Sequence, residues 1–196
     1  METWIVIGVI VLFALYIVGI YNKLVELKNR FKNAFAQIDV QLKRRYDLIP
    51  NLIETAKAYM KHESETLEAV VNARNTAQQS LKAVEANVGD LAAMGGLASA
   101  ESQLAGALEK LNVVMEAYPD LKASENMMQL SEELSSTENK VAFSRQGYND
   151  AVMAYNIYKQ SFPQNLFAAP FGHAADAAQL EFEDSEQIQA APKANF

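Results

Sequence analysis

The chain has 196 residues, 17 Lys/Arg against 24 Asp/Glu, a net charge of −7, and a hydrophobic share of 50%. It has no cysteine, which excludes a disulfide framework and any thiolate nucleophile or thiolate metal site. The charge is unevenly divided, +4 over residues 1–61 and −11 over residues 62–196; an acidic body excludes a general nucleic-acid binder, whose phosphate-facing surface needs extended positive charge.

After a short leader, residues 1–3, no charge interrupts the chain between Glu2 and Lys23, and Trp4 to Ile20 reads WIVIGVIVLFALYIVGI. A helix over 4–22 would be about 28 Å long, close to the hydrocarbon thickness of a bilayer. Trp4 and Tyr21 stand at its two ends, where amphipathic rings prefer the headgroup region. A cleavable signal peptide would want Lys or Arg before the apolar run and a small-x-small site after it. The flanks here are Met1-Glu2-Thr3 and Ile20-Tyr21-Asn22, so the segment is expected to be an uncleaved anchor. Lys23, Lys28, Arg30 and Lys32 follow it and no cation precedes it. The positive-inside rule then places the N-terminus outside and the following domain in the cytoplasm.

Residues 23–162 read as an all-α domain, since Ala, Leu, Glu, Lys and Gln dominate the long spans between prolines. Leu24, Leu27, Phe31, Phe35, Ile38 and Leu42 recur in steps of 3 and 4, one face of a helix continuing the anchor. Pro50 predicts a kink or turn at 47–50, because it lacks the N–H that a straight helix requires. A second helix should run from there to about residue 86, with Leu52, Ile53, Ala56, Met60, Leu67, Val70, Ala77, Leu81 and Val84 inward. The three glycines of residues 87–96 predict a loop, and a third helix is expected over 97–117. The last helix, 124–162, carries Met127, Leu130, Leu134, Thr137, Val141, Ser144, Tyr148, Ala151, Tyr155, Tyr158 and Phe162 in strict 3–4 alternation, a heptad seam of coiled-coil type. Four such stripes joined by short connections predict an elongated antiparallel bundle of about four helices. Residues 163–196, with Asp176, Glu181, Glu183, Asp184 and Glu186, predict an acidic, mostly extended or flexible tail.

Several of these segments resemble the LemA family of bacterial membrane proteins. The similarity is carried by Tyr21-Asn22-Lys23-Leu24-Val25, by Gln37-Ile38-Asp39-Val40-Gln41-Leu42-Lys43-Arg44-Arg45 and by Asp47-Leu48-Ile49-Pro50-Asn51-Leu52. His62-Glu63, Ala73-Arg74, Tyr118-Pro119-Asp120-Leu121-Lys122-Ala123, Thr137-Glu138, Arg145, Tyr148-Asn149, Tyr155-Asn156 and the ending Pro192-Lys193-Ala194-Asn195-Phe196 extend it over the whole chain. The sequence departs at Phe35, where the family usually has Trp. The resemblance implies a bacterial inner-membrane protein with a helical-bundle domain. A relative that serves in making magnetosome membranes suggests a role in membrane organisation. It supplies no reaction.

Reaction chemistry finds little footing in the residues. His62 lacks the second histidine four positions on that a zinc-protease helix needs, residue 66 being Thr. Neither His62 nor His173 follows a Glu by three residues, as a di-iron bundle requires. No nucleophile elbow or phosphate-binding glycine loop occurs. No catalytic, metal or cofactor-binding residue is therefore assigned, and no cofactor is expected. The polar residues Glu138, Arg145, Asn149 and Asn156 share one face of the last helix, and Asp39, Lys43 and Asp47 one face of the first. Opposed across a bundle, such groups fix register, and Asp39–Lys43 and Glu138–Arg145 are the expected pairs. The competing catalytic reading makes Asp39, Asp47 and Glu138 an acid–base set, in an unrecognised hydrolase. Lys43-Arg44-Arg45 lie about 30 Å past the anchor, beyond the reach of lipid charge, and are expected to bind carboxylates of the protein itself or of a neighbouring subunit, with Asp47, Glu138 and residues 181–186 as candidates. The reading that follows is a non-enzymatic scaffold with the lipid bilayer as partner, acting as a homo-oligomer through the alanine-rich faces around 92–107. The alternative is an adaptor presenting another membrane protein, a protease or sensor kinase, through Phe171, Phe182 and Phe196 of the tail.

Overall fold

The computed structural model describes residues 1–182, and every regular element among them is helical. The elements are α1 (Glu2–Lys57), α2 (Ser64–Ala86), α3 (Leu91–Met115), the single turn α4 (Pro119–Lys122), α5 (Glu125–Gln160) and the single turn α6 (Asn165–Ala168). The first helix, 56 residues long, extends over about 84 Å. Its first part stands clear of the rest of the protein: Trp4, Ile10, Leu12 and Phe13 are all more than half exposed. From Ile20 onward the same helix enters the core, with Leu24, Leu27, Phe31, Phe35, Ile38 and Leu42 buried on one face. The apolar segment and the first bundle helix are one uninterrupted rod.

The expected break at 47–50 does not occur; α1 runs through Pro50 and ends at Lys57. Two features offset the cost of the proline. Its missing N–H would have served the carbonyl of Tyr46, four residues back, and Arg74 Nε of α2 donates to that carbonyl instead, at 3.0 Å. The buried stripe also continues on both sides, through Ile49, Leu52, Ile53 and Ala56, so packing rewards a straight course. The chain turns at 58–63, after Met60 has reached the core. There Tyr118, which leads into α4, donates its hydroxyl to Glu63 Oε1 at 3.3 Å and closes the far end.

The loop expected over 87–96 is confined to residues 87–90. Asp90 caps α3 by accepting from the N–H of Ala93 at 2.9 Å, and Gly95 and Gly96 lie inside the helix. Once the end is capped, the cost of about 1 kcal/mol per helical glycine is borne by the packing of Met94, Leu97 and Ala100. Gly89 is the glycine that the turn requires. Its φ is +91°, and a Cβ there would lie 3.2 Å from Phe31 Cε2 and 3.3 Å from Ala177 Cβ. Ser124 caps α5 in the same manner as Asp90, accepting from Met127 N at 3.3 Å.

Ring contacts establish that α5 runs antiparallel to α1. Phe31 meets Tyr155 at 5.2 Å, and Phe35, further along α1, meets Tyr148, earlier on α5, at 5.7 Å. The helix α2 packs on α1 and pairs with α3. The heptad seam faces inward as far as Tyr155; Phe162 at its end is 79% exposed. The expected tail opens with the helical turn α6, and residues 173–182 form neither helix nor strand; they are strapped onto the bundle rather than free of it. The carboxylates at 183–186 and Phe196 lie outside the described residues.

Candidate functional site

Two polar centres organise the domain. The first lies in the core, where α1 meets α3. Arg45 and Glu101 are 6% and 2% exposed, and Arg45 Nη2 donates to Glu101 Oε2 at 2.5 Å. The hydroxyl of Tyr46 donates to the other carboxylate oxygen. Both oxygens of Glu101 are thus occupied by protein donors. Burial raises the Glu101 carboxyl above the ordinary carboxylate range, with the Arg45 charge and the Tyr46 hydrogen bond opposing the rise. Burial and the adjacent Glu101 charge push the Tyr46 phenol far up, so it stays a donor. A sealed carboxylate with both oxygens bonded has no route to a substrate. What the arrangement can do is hold α1 and α3 in one register, since any sliding would leave a charge buried without its partner.

The pattern that leads to this centre is present in the sequence. The stripe Ile38, Leu42, Arg45, Ile49 keeps steps of 4, 3 and 4 through the arginine. On α3 the stripe Leu97, Glu101, Leu104, Leu108 keeps 4, 3 and 4 through the glutamate. Glu101 is the sole charged residue between Asp90 and Glu109. A charge at a core position on each of two helices is the signal that sequence reasoning passed over.

The cations beside Arg45 take different surroundings. Lys43 is surface-exposed and pairs with Asp39 at 2.8 Å on its own helix and with Glu85 of α2 at 2.7 Å. Those two hydrogen bonds raise the Lys43 ammonium and lower Glu85. Arg44 and Asp47 are exposed on α1, and Glu138 is exposed on α5. Asp47 and Glu138 thus face solvent rather than the core. Among the described residues, no group of three or more His, Asp or Glu is placed to hold a metal ion, and His62 lies on the surface.

The second centre binds the strap to α5. Asn149 donates to the carbonyl of Leu180 at 3.1 Å and accepts from its N–H at 2.9 Å. Asn156 does the same with Ala177, at 2.9 and 3.0 Å. Each side-chain amide thus stands in for the peptide of a neighbouring strand. The spacing closes: seven helical residues cover about 10.5 Å, and three extended residues about 10 Å. Two-point attachment needs that match. Around these two points, Tyr148 donates to the carbonyl of Ala178 at 2.7 Å, and the N–H of Ala178 donates to Gly89 O at 2.9 Å. Arg145 lies over the ring of Phe182, 4.4 Å from its centroid. Lys159 donates to Ala174 O and pairs with Asp176. That lysine and Gln160 hold the Asp176 carboxyl below the usual range.

At the start of the strap, His173 is 5% exposed and its Nδ1 sits 2.9 Å from the Tyr155 hydroxyl. Burial, then the charges of Lys28 and Lys159, hold it below the ordinary imidazole value. Phe171 meets Tyr21 edge-on at 5.3 Å. Two of the three tail aromatics considered as anchors for a partner, Phe171 and Phe182, are thus engaged within the molecule.

The model of the LemA family matches residues 34–196. The chain is 29% identical over 157 residues to Protein LemA of Metamycoplasma hominis, covering 80% of this chain and 67% of that one. It is 24% identical over 163 residues to the magnetosome proteins MamQ 1 and MamQ 2 of Paramagnetospirillum magneticum, covering 76% of this chain and 60% of each of theirs. The chain therefore spans less than two thirds of the length of the magnetosome relatives.

Proposed function

The chain belongs to the LemA family, and from that premise we propose that it is a membrane-anchored, non-enzymatic scaffold that acts by self-association. The observation that carries the reading is the single helix α1, which passes from an exposed apolar stretch of mean hydropathy 2.7 straight into the core. Such a rod transmits position and orientation from the bilayer to the bundle without a flexible joint. The exposed apolar segment and the magnetosome relatives point to membrane association. The orientation proposed is the one the cations favour, with the domain cytoplasmic at the inner membrane.

Self-association is supported by the outer face of α3. Gly95, Gly96 and Gly106 are exposed, and among the described residues nothing outside their own helix lies within 4 Å of where their side chains would be. A helix from a second copy can therefore approach closely. Light scattering of the full chain in mild detergent is expected to give more than one subunit per particle, and Gly96→Leu is expected to reduce that number while the melting temperature holds. A strict monomer, with and without the anchor, removes the scaffold reading.

A further inference from the structure

Beyond the anchor itself, the structure offers a second apolar surface at the base of the bundle. Ser161 to Gly172, SFPQNLFAAPFG, contains no Asp, Glu, Lys, Arg or His. Its Phe162 and Leu166 are 79% and 61% exposed. Apolar side chains of that size, exposed four residues apart in an uncharged stretch, ask what covers them.

Their height along α1 answers the question. The anchor needs the whole of residues 4–22 to cross a bilayer, about 28 Å, so Tyr21 stands at the headgroup level. Phe171 rests edge-on against Tyr21, and α6 packs on α1. Ile20 is buried and Ile17 half-buried, whereas the residues around them on other faces are exposed. The bundle's base therefore already overlaps the last turn of the anchor. Lys23 and Lys28 lie within two turns of this level, where anionic headgroups would meet them.

We propose that the segment 161–172 is an interfacial collar, which inserts Phe162 and Leu166 into the headgroup–acyl boundary of the leaflet on the bundle's side. The anchor then has two points of support in the membrane, and the rod of α1 is held at a set tilt. Aromatic and aliphatic side chains in an uncharged stretch suit that boundary, where rings are favoured and charges are costly. The proposal rests on the membrane reading of α1 and adds a contact that reading does not require.

The chain has no native cysteine, so single cysteines can be labelled one at a time. Full-length Leu166→Cys, Phe162→Cys, Leu12→Cys and Phe143→Cys carry an environment-sensitive fluorophore, in vesicles of mixed zwitterionic and anionic phospholipid. All four sites are exposed, so the fold is retained. The expected result is loss of fluorescence at 166 and 162 with a nitroxide on the lipid near the headgroup, a blue shift relative to 143, and quenching of 143 by aqueous iodide alone. Iodide quenching at 166 and 162 equal to that at 143, with no lipid quenching, overturns the collar. Protection of both sites from both quenchers shows that protein covers them and also overturns it. A label at 12 that the lipid quencher does not reach overturns the membrane reading itself, and is thereby distinguishable from failure of the collar alone.

Discussion

At the scale of single residues, the ion pair of Arg45 and Glu101 carries a penalty that only its own geometry offsets. Removing one partner strands a buried charge, so Arg45→Ala is expected to cost about 3–5 kcal/mol in a chemical denaturation experiment. Replacing both, as Arg45→Met with Glu101→Leu in a Tyr46→Phe background that leaves no hydroxyl stranded, is expected to cost far less than the single change, because the apolar set needs no partner. Near-additive losses in the two single variants and the double would show that the pair does not act as a unit. The carbonyl of Tyr46 offers a second cycle. Arg74→Ala leaves that buried acceptor without its donor, an expected loss of about 1–3 kcal/mol. In a Pro50→Ala background the helix supplies its own N–H, and the same Arg74→Ala substitution should then cost measurably less. An equal cost in both backgrounds would disconnect Arg74 from the proline.

At the scale of elements, the strap is the part most sensitive to conditions, since it is held by side chains rather than by a core of its own. His173 is held neutral by burial and by Lys28 and Lys159, with the Tyr155 hydroxyl on its ring and Asp176 nearby on the same strap. Its folded value lies below the ordinary 6.5, so the native state binds fewer protons than the unfolded one in that range. Its contribution to stability is complete above that ordinary value and is lost as pH falls from there through the depressed folded value. Melting temperatures of the full chain should therefore decline below about pH 6.5, and His173→Gln should flatten that part of the profile. The same slope in both proteins would assign the pH dependence elsewhere. Asn149→Ala and Asn156→Ala each remove two hydrogen bonds to the strap backbone. Hydrogen exchange is expected to accelerate at Leu180 in the first variant and at Ala177 in the second, before any change at the core of α1.

At the scale of the whole molecule, the proposed anchor makes α1 a rod that can transmit position from a bilayer to the bundle. Residues 2–57 form one helix, so a rotation or tilt imposed at the membrane reaches the distal turn at 58–63 without a hinge. A reporter enzyme fused after Phe196 tests which side the domain occupies: cytoplasmic activity is expected, and activity only outside reverses the topology. Exchanging Lys23, Lys28, Arg30 and Lys32 for Gln is expected to randomise orientation with little effect on bundle stability. Gln at Lys43, Arg44 and Arg45 should do the opposite, with Arg45 carrying nearly all of the loss because it alone of the three is buried.

Much of this architecture follows from local pattern. The all-α class, the apolar segment, the C-terminal end of α2 and the inward face of α5 come from spacings of 3 and 4 and from composition, and these need only neighbours in the chain. The side chain that rescues a proline, the charge that a core tolerates and the surface that holds an extended tail are set by residues far apart in sequence. Pro50 reads as a break until Arg74, twenty-four positions away, is folded against Tyr46. Arg45 reads as one of three basic residues until Glu101 comes to meet it across the core. Asn149 and Asn156 share a face on any helical wheel, but their partners are backbone groups of an extended segment with no periodicity to betray it. The sequence by itself determined the periodic elements, because a helix is specified by groups within four residues of one another. The tertiary structure alone decided which helix survives its proline, which charges are buried and where the tail is strapped, because each rests on a hydrogen bond or ion pair between segments that only folding brings together.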